Sequence, residues 1–335
     1  MTSAPLVSVV TPFRNTAAYL SECIQSVLAQ TYTNFEYILV DNCSTDGSQE
    51  IASDFARRDP RIHFLKRHEL LPQVSNYNAA LERISERSEY CKIVQADDAI
   101  FPDCLRLMVE AFQQSDSVGL VSSYYLKGTT VRGSGFPYPA TFMSGRELAK
   151  FYLRTGTFFF GSPTTVMYRS SLIRTGRQFY DESLLHEDTE KCMQILQEWD
   201  FGFVHQVLSF LRLGNDSISC RVRHFCPDSL DWYIITQRYA PIFLQKEEAS
   251  ALMRRTHREY YQLLAHEAIR LPSLDFWRYH VDGLKTLGSS LEKGYLSLQV
   301  LKKVSGLVLN PAHTVRRIFS HFQRKRQVPK NFGIA

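Results

Sequence analysis

Two adjacent carboxylates, Asp97 and Asp98, follow a short apolar run at residues 91–94 of this 335-residue chain. Like charges this close raise each other's pKa unless a cation lies between them. Mg²⁺ and Mn²⁺ take a few carboxylate ligands and complete their coordination with phosphate oxygens and water. The pair therefore indicates a divalent cation site beside a nucleotide-sized cleft. The alternative is that both carboxylates cap a helix after Pro102.

A third carboxylate, Asp41, also ends an apolar run, at residues 35–40. There it could accept a hydrogen bond from the imide N–H of uracil or thymine, a group that cytosine lacks. The alternative is a local Asx turn at Asp41, with Asp46 capping the helix that follows. We assign the cap to Asp46 and favour the base contact for Asp41.

Short apolar runs alternate with helical patterns over the first 125 residues, and these elements must position the carboxylates. The predicted strands are 6–10, 35–40, 62–65, 91–94 and 118–122, and the helices between them are 17–29, 48–57, 75–84 and 103–112. This alternation indicates an α/β fold with βαβ units and a mostly parallel sheet. Ligands of such sheets bind beyond the carboxyl ends of the strands. Thr11, Asp41 and the Asp97–Asp98 pair should therefore share one rim.

The remainder of the chain changes character twice. Residues 126–165 contain many glycines and prolines and are expected to be rich in loops. A helix at 188–198 and a strand at 203–211 follow, and from residue 228 onward the pattern is helical, with Pro311 interrupting the apolar segment 304–322. We therefore divide the chain into an α/β region, residues 1–225, and a C-terminal helical region with a basic tail, residues 226–335.

Composition and charge limit the class of protein. The chain is 44% hydrophobic and 22% charged, as is ordinary for a globular protein. Its seven cysteines form no C-x-x-C pair, which indicates reduced thiols and a cytoplasmic location. The sequence shows no leader pattern and no run of about 18 apolar residues. The basic tail, residues 313–326, is compatible with a solvated tail or with peripheral contact to the inner face of a membrane. We expect no nucleic-acid partner.

Four blocks, in this order and separation, resemble the family 2 glycosyltransferases. They are residues 7–15 (VSVVTPFRN), residues 26–32 (SVLAQTY), the Asp41 segment and residues 95–98 (QADD). The resemblance extends over residues 5–220. It implies a GT-A fold, which is a Rossmann-like, mixed and mostly parallel sheet flanked by helices. It also implies an inverting transferase with a UDP- or dTDP-type sugar donor and Mn²⁺ or Mg²⁺ as the metal. The acceptor would be a hydroxyl of a glycan or a lipid-linked saccharide, as in polysaccharide or glycoconjugate biosynthesis.

The same resemblance implies a set of donor-site residues. Those expected around the nucleotide sugar are Thr11, Pro12, Arg14, Asp41, Asn78, Asp97 and Arg212. Asp98 would be the principal metal ligand, with Asp97 as a second ligand nearer the ribose. Two positions depart from the family pattern, because Tyr77 stands where an Arg is common and Gln95 where a further Asp is frequent.

The segment His186-Glu187-Asp188 resembles the general-base block of that family. A hydroxyl is a poor nucleophile near neutral pH, so a positioned carboxylate must accept its proton as it attacks the anomeric carbon. We assign Asp188 as the base and Glu187 as a supporting residue. The alternative is an acidic first turn that only complements the dipole of a helix.

A closing loop and the absence of a glycine-rich loop bear on the alternatives. Residues 212–217 resemble an Arg-x-His-x-x-Ser loop in which Gly214 replaces the His, while Arg212 and Ser217 could still reach a diphosphate. His205 or His224 could take the role of the missing His, and we assign neither.

A sugar nucleotidyltransferase would need a glycine-rich loop after the first strand, and residues 11–15 contain no glycine. A catalytically impaired binding or scaffold module of the same fold is the remaining alternative.

Overall fold

The computed structural model describes residues 4–182, 187–213 and 223–309. Its strands are β1 Leu6–Phe13, β2 Phe35–Asp41, β3 Ile62–Lys66, β4 Ser88–Ile93, β5 Ala99–Ile100, β6 Val118–Lys127, β7 Thr130–Arg132, β8 Phe142–Met143, β9 Met167–Arg169 and β10 Asp200–Leu211. Its helices are α1 Ala17–Leu28, α2 Ser48–Arg58, α3 Gln73–Leu81, α4 Cys104–Phe112, α5 Gly145–Thr155, α6 Glu187–Ile195, α7 Pro227–Phe243, α8 Lys246–Ile269, α9 Leu274–Lys285 and α10 Lys293–Leu309.

One mixed sheet contains all of these strands, in the order β3-β2-β1-β4-β9-β6-β10-β5. Neighbours from β3 to β4 are parallel, as are β6 and β10, and β9 runs antiparallel between β4 and β6. The short strands β7 and β8 pair antiparallel with β6 and β10. The carboxyl ends of β1, β2, β4, β6 and β10 therefore lie on one rim. The α/β fold with a mixed, mostly parallel sheet is confirmed.

Alternate side chains of the central strands enter two cores, one on each face of the sheet. Val10 of β1 lies in the core with α3, α5 and α6, whereas Val9 packs into the core with α1, α2 and α4. Successive strand residues point to opposite faces, so a strand covered on both faces is mostly apolar, as β1 is apart from Ser8 and Thr11.

The C-terminal helices have a core of their own and dock on the sheet through α7. Leu230 and Tyr233 of α7 pack with side chains of α8 and α9. Ile235 and Tyr239, on another side of the same helix, join the core beneath α5 and α6. The helical region thus shares α7 with the α/β region. Within the described ranges, no helix has both the length and the apolar content needed to cross a bilayer.

The expectation that residues 126–165 are rich in loops did not include α5, which occupies residues 145–155. The helix begins after Ser144, whose Oγ accepts the Glu147 N–H at 3.4 Å. Ser-x-x-Glu before an amphipathic run is a helix-start signature, and Leu148 and Tyr152 of that run are buried. Glycines and prolines dominate residues 128–139, and they obscured the helical pattern that follows.

Only the first part of the segment 304–322 can be compared with its sequence-based prediction. Residues 304–309 end α10. Residues 310–322 and the basic tail at 313–326 lie outside the described residues, so the membrane-contact hypothesis for the tail stays a prediction.

Candidate active site

A cavity of about 1260 Å³ opens at the rim formed by the carboxyl ends of β1, β4 and β6. One wall comes from the loops after β1, β2 and β4 and from α3. The other lining residues come from α5, the segment after it, the start of α6 and one face of α7. A volume of this size is at the upper end for ligand pockets, and it leaves room for more than one sugar ring.

The residues predicted for the site divide into two groups of five. Those that line the cavity are Pro12, Arg14, Asp97, Glu187 and Asp188. Those that do not line it are Thr11, Asp41, Asn78, Asp98 and Arg212. The residues of the second group lie next to the cavity wall and form the internal hydrogen bonds described below.

Asp97 and Asp98 occupy different environments despite being adjacent. Asp97 lines the cavity, whereas Asp98 is 5% exposed and lies behind the wall. The Asp98 carboxylate accepts a hydrogen bond from the Thr164 hydroxyl at 2.6 Å and another from the Arg212 backbone N–H at 3.2 Å. Burial, reinforced by the charge of Asp97, raises the pKa of Asp98 to about 7. A cation between the two carboxylates would relieve this cost.

The carboxylate oxygens of this site suit a divalent ion such as Mg²⁺ that also binds oxygen atoms of a substrate. Among the described residues, no three or more His, Cys, Asp or Glu side chains converge as a complete metal cage. Mg²⁺ is typically held by one or two carboxylates, and substrate phosphates and water fill its other positions. The Asp97–Asp98 pair at the edge of a large cavity matches that pattern.

Arg212 does not line the cavity, but it is hydrogen-bonded to both residues of the Asp97–Asp98 pair. Its Nε donates to the Asp97 carbonyl oxygen at 3.1 Å, and its guanidinium pairs with Glu22 at 2.6 Å. The guanidinium also lies 4.8 Å from the ring centroid of Tyr19. The predicted contact of Arg212 with the donor stays a prediction; in this structure Arg212 contacts Asp97, Asp98 and Glu22. Gly214 and Ser217 lie outside the described residues.

Asp41 and Thr11 are also committed to internal hydrogen bonds. The Asp41 carboxylate accepts the Ser44 N–H at 3.0 Å and the Gln49 side-chain amide at 2.8 Å, so the local turn that we disfavoured is present. Thr11 Oγ1 donates to the Val94 carbonyl at 2.7 Å and thereby ties the end of β1 to the end of β4. Asp46 accepts the Ser48 N–H at 3.1 Å, but the residue at the N-cap of α2 is Gly47, so Asp46 lies one position before the predicted cap.

Asn78 is bonded at both ends of its amide to the segment after residue 179. Its Oδ1 accepts the Tyr180 N–H at 2.8 Å, and its Nδ2 donates to the Tyr180 carbonyl at 2.9 Å. These bonds leave little capacity for a ligand, so Asn78 acts in this structure as a support for the chain that leads to α6.

Tyr77 and Gln95, two of the three departures from the family pattern, contact each other. Gln95 Nε2 lies 3.2 Å from the Tyr77 hydroxyl, and both side chains line the cavity. Burial raises the pKa of Tyr77 above its usual range, and the charges of Glu187, Asp97 and Asp98 add to the effect. The Tyr77 hydroxyl is therefore influenced by the charges of Glu187 and of the Asp97–Asp98 pair.

Glu187 and Asp188 form the first turn of α6. Glu187 is buried and Asp188 half-buried, and both line the cavity. One oxygen of Asp188 accepts the Thr189 N–H at 2.7 Å, which fixes the carboxylate at the helix start. An acidic first turn favours the helix dipole, so both interpretations of this segment fit the geometry. His186 lies outside the described residues.

Neither histidine considered as a substitute for the loop His lines the cavity. His205 is held between the Tyr124 hydroxyl at 2.9 Å and the Ala140 carbonyl at 2.6 Å. His224 is exposed and packs on Phe225 with ring centroids 3.9 Å apart.

Several lining residues were missed by the sequence analysis. They are Asn42, Tyr125, Lys127, Tyr152, Asp228, Asp231 and Trp232. Most belong to α5, β6 or α7, and nothing in their local periodicity distinguishes a cavity-facing residue from any other. Asn42, directly after Asp41 at the end of β2, is the exception, because its place at a strand end could have identified it.

Thr164 offers a test of how the wall is held. Its hydroxyl donates to Asp98 and accepts the Gln95 N–H at 3.0 Å. Thr164→Val keeps the shape and removes both bonds, so we expect the free energy of unfolding in urea to fall by about 1–3 kcal/mol. Thr130→Val, at an exposed position of β7, is the control and should change it by less than about 0.5 kcal/mol. Equal effects of the two substitutions would contradict a special role for Thr164.

Comparison with known proteins agrees with this architecture. The profile described as Glycosyl transferase family 2 matches residues 8–176, half of the chain. Glycosyltransferase GlyG of Streptococcus pneumoniae serotype 4 is 30% identical over 196 residues, which is 54% of this chain and 64% of the relative. The putative teichuronic acid biosynthesis glycosyltransferase TuaG of Bacillus subtilis is 34% identical over 122 residues, which is 36% of this chain and 48% of the relative. The chain thus spans less than two thirds of either relative.

Two solved structures share the fold. S. aureus TarS in complex with UDP-GlcNAc superposes with a TM-score of 0.58 at 18% identity, covering 83% of this chain and 79% of TarS. Mannosyltransferase PcManGT from Pyrobaculum calidifontis, in complex with GDP-Man and Mn²⁺, gives a TM-score of 0.57 at 18% identity and covers 89% and 85% of the two chains. The profile match establishes that the chain belongs to glycosyltransferase family 2, and the two structures show that it shares their GT-A fold.

Proposed function

We propose that this enzyme transfers a sugar from a UDP- or dTDP-type donor to a hydroxyl of a glycan or lipid-linked saccharide, with inversion, in polysaccharide or glycoconjugate biosynthesis. The observation that carries the proposal is that Asp97, the Glu187–Asp188 pair and Tyr77 all line one cavity. TarS, with UDP-GlcNAc, supports a uridine donor by analogy. PcManGT, with GDP-Man, shows that the fold also accepts another base.

Asp97 and Asp98 would hold Mn²⁺ or Mg²⁺. When bound, the ion stabilises negative charge that develops on the departing diphosphate. Thr164 and the Arg212 backbone N–H hold the Asp98 carboxylate, and the Arg212 side chain holds the Asp97 backbone carbonyl. Arg14 and Lys127, the basic side chains on the described cavity wall, would add positive charge near the anionic donor.

Asp188 would accept the proton of the acceptor hydroxyl while its oxygen forms the bond to the anomeric carbon. The bond from that carbon to the phosphate oxygen breaks in the same step, and the diphosphate leaves with the electron pair. Attack from the side opposite the leaving group gives inversion. Glu187, buried beside the base, would keep the proton on Asp188 by its own charge.

The domain division and location extend the proposal. Residues 1–225 would carry the chemistry and residues 226–335 would form a helical appendage, although α7 of that appendage lines the cavity. We expect a cytoplasmic enzyme, with peripheral membrane contact through the basic tail at 313–326.

Thermal stabilisation by nucleotide sugars, with and without Mn²⁺, tests the proposed activity. A ligand at about 100 times its Kd adds roughly 2.7 kcal/mol to stability, which corresponds to a Tm rise on the order of 5 °C for a protein of this size. We expect such a rise with a uridine or thymidine donor plus Mn²⁺, and its loss in EDTA. Metal-independent binding without turnover would instead favour the impaired binding module.

A further inference from the structure

One face of α7 lines the cavity on the side where Asp188 lies. Asp228, Asp231, Trp232 and Ile235 occupy positions i, i+3, i+4 and i+7, which share one face of a helix. The residues between them, Leu230, Tyr233 and Ile234, are buried in the helical core. Because the apolar side of α7 packs in that core, the helix presents two carboxylates and an indole to the cavity.

Trp232 is fixed by a neighbouring aromatic side chain. Its ring meets that of Tyr152 edge to face, with centroids 5.4 Å apart and planes at 74°. Tyr152 is 7% exposed and packs in turn against Phe158 and Phe160. Trp232 itself is half-buried and lines the cavity. The face of an aromatic ring carries negative charge and attracts the weakly positive C–H groups of a ligand such as a pyranose ring.

The charge of this wall selects against anions. Glu187 and Asp188 of α6 and Asp228 and Asp231 of α7 all line it. Burial raises the pKa of Tyr152 above its usual range, and the charges of Asp231 and Asp188 add to the effect. Carboxylates of the two helices are therefore close to one tyrosine hydroxyl. They can accept hydrogen bonds from sugar hydroxyls, whereas an anionic group would be repelled.

We propose that this wall is the acceptor subsite and that it takes an uncharged saccharide ring, stacked on Trp232, with its hydroxyls bonded to Asp228 and Asp231. The inference rests on the proposed function and names its acceptor class. It places the acceptor hydroxyl beside Asp188, opposite the donor side at Asp97.

The test uses methyl glycosides as acceptor probes, with the donor that stabilises the enzyme in the presence of Mn²⁺. Transfer is measured by mass spectrometry to the neutral methyl β-glucoside, β-galactoside and β-N-acetylglucosaminide and to the anionic methyl β-glucuronide. We expect transfer to at least one neutral probe and at least tenfold less to the glucuronide. Trp232→Ala should lower transfer at least tenfold, mainly through KM, and Trp232→Phe should retain most of it. Asp228→Asn should reduce the preference for neutral over anionic probes severalfold.

Trp277→Ala is the matched control, because Trp277 lies on α9 outside this cavity; it should leave transfer unchanged. Unaltered transfer by Trp232→Ala, transfer to the glucuronide at the neutral rate, or transfer to none of the neutral probes overturns the subsite. Stabilisation by Mn²⁺ and donor is read separately in every variant. Its absence from the wild-type protein would overturn the proposed function itself, whereas its presence with any of the three results above rejects only the subsite.

Discussion

Asp188→Asn should lower kcat for sugar transfer by about 10²–10⁴-fold, the range that a positioned general base contributes. Asparagine has nearly the same size and can still accept the Thr189 N–H that fixes the side chain, but it cannot take a proton from the acceptor hydroxyl. Stabilisation by donor and Mn²⁺ should persist, since the donor-side carboxylates are untouched. Steady-state kinetics and thermal shift on the same preparation provide the two readouts.

Two further variants sharpen the assignment of the base. Glu187→Gln should have a smaller effect than Asp188→Asn, because Glu187 is expected to support the base. Glu198→Gln, at an exposed position after α6 that does not line the cavity, is the matched control and should leave kcat unchanged. Full activity of Asp188→Asn together with an inactive Glu187→Gln would transfer the role to Glu187.

Asp98→Asn should lower kcat/KM at least 100-fold, as expected when charge stabilisation of the departing group is lost, and should abolish the Mn²⁺-dependent part of donor stabilisation. The substitution keeps the volume and removes the charge that holds the ion. Mn²⁺ titrations followed by thermal shift at a fixed donor concentration measure the effect. Asp116→Asn, an exposed carboxylate outside the cavity, is the control. An unchanged Mn²⁺ requirement in Asp98→Asn would contradict the assignment.

In the absence of metal, Asp98→Asn should affect the pH dependence of protein stability. Burial raises the pKa of Asp98 to about 7, above its ordinary value of 3.8. A raised carboxyl pKa contributes stability that is fully present below pH 3.8 and is lost as pH rises through 7. At pH 8 the wild-type protein therefore carries the cost of a buried charge. Metal-free Asp98→Asn should be at least as stable as the wild-type protein at that pH.

The sequence predicted the parts of the fold that depend on local pattern. Apolar runs separated by helical spacing located β1 to β4, and the rule that ligands bind beyond the carboxyl ends of parallel strands located the rim. The pair of adjacent carboxylates pointed to Asp97, and the family resemblance pointed to Glu187 and Asp188; all three line one cavity. These successes rest on residue type and position along a single element.

What the sequence could not predict depends on contacts between distant segments. Asp98 was predicted to be the principal metal ligand with Asp97 as a second ligand, but its bonds with Thr164 and Arg212, 66 and 114 residues away, were not predicted. Asn78 is bonded to Tyr180, 102 residues on. The cavity wall from α7 was missed for the same reason, because docking of the helical region decides which face of that helix meets the cavity.

Crystals of the protein grown with UDP and Mn²⁺ provide the most direct measurement, through anomalous diffraction at the manganese edge. The account predicts one strong peak in the cavity, about 2.0–2.2 Å from a carboxylate oxygen of Asp97 or Asp98. Diphosphate oxygens should complete the coordination, and the Asp188 carboxylate should lie across a space wide enough for a sugar. A manganese peak away from both aspartates, or an Asp188 side chain outside the cavity that holds the nucleotide, would contradict it.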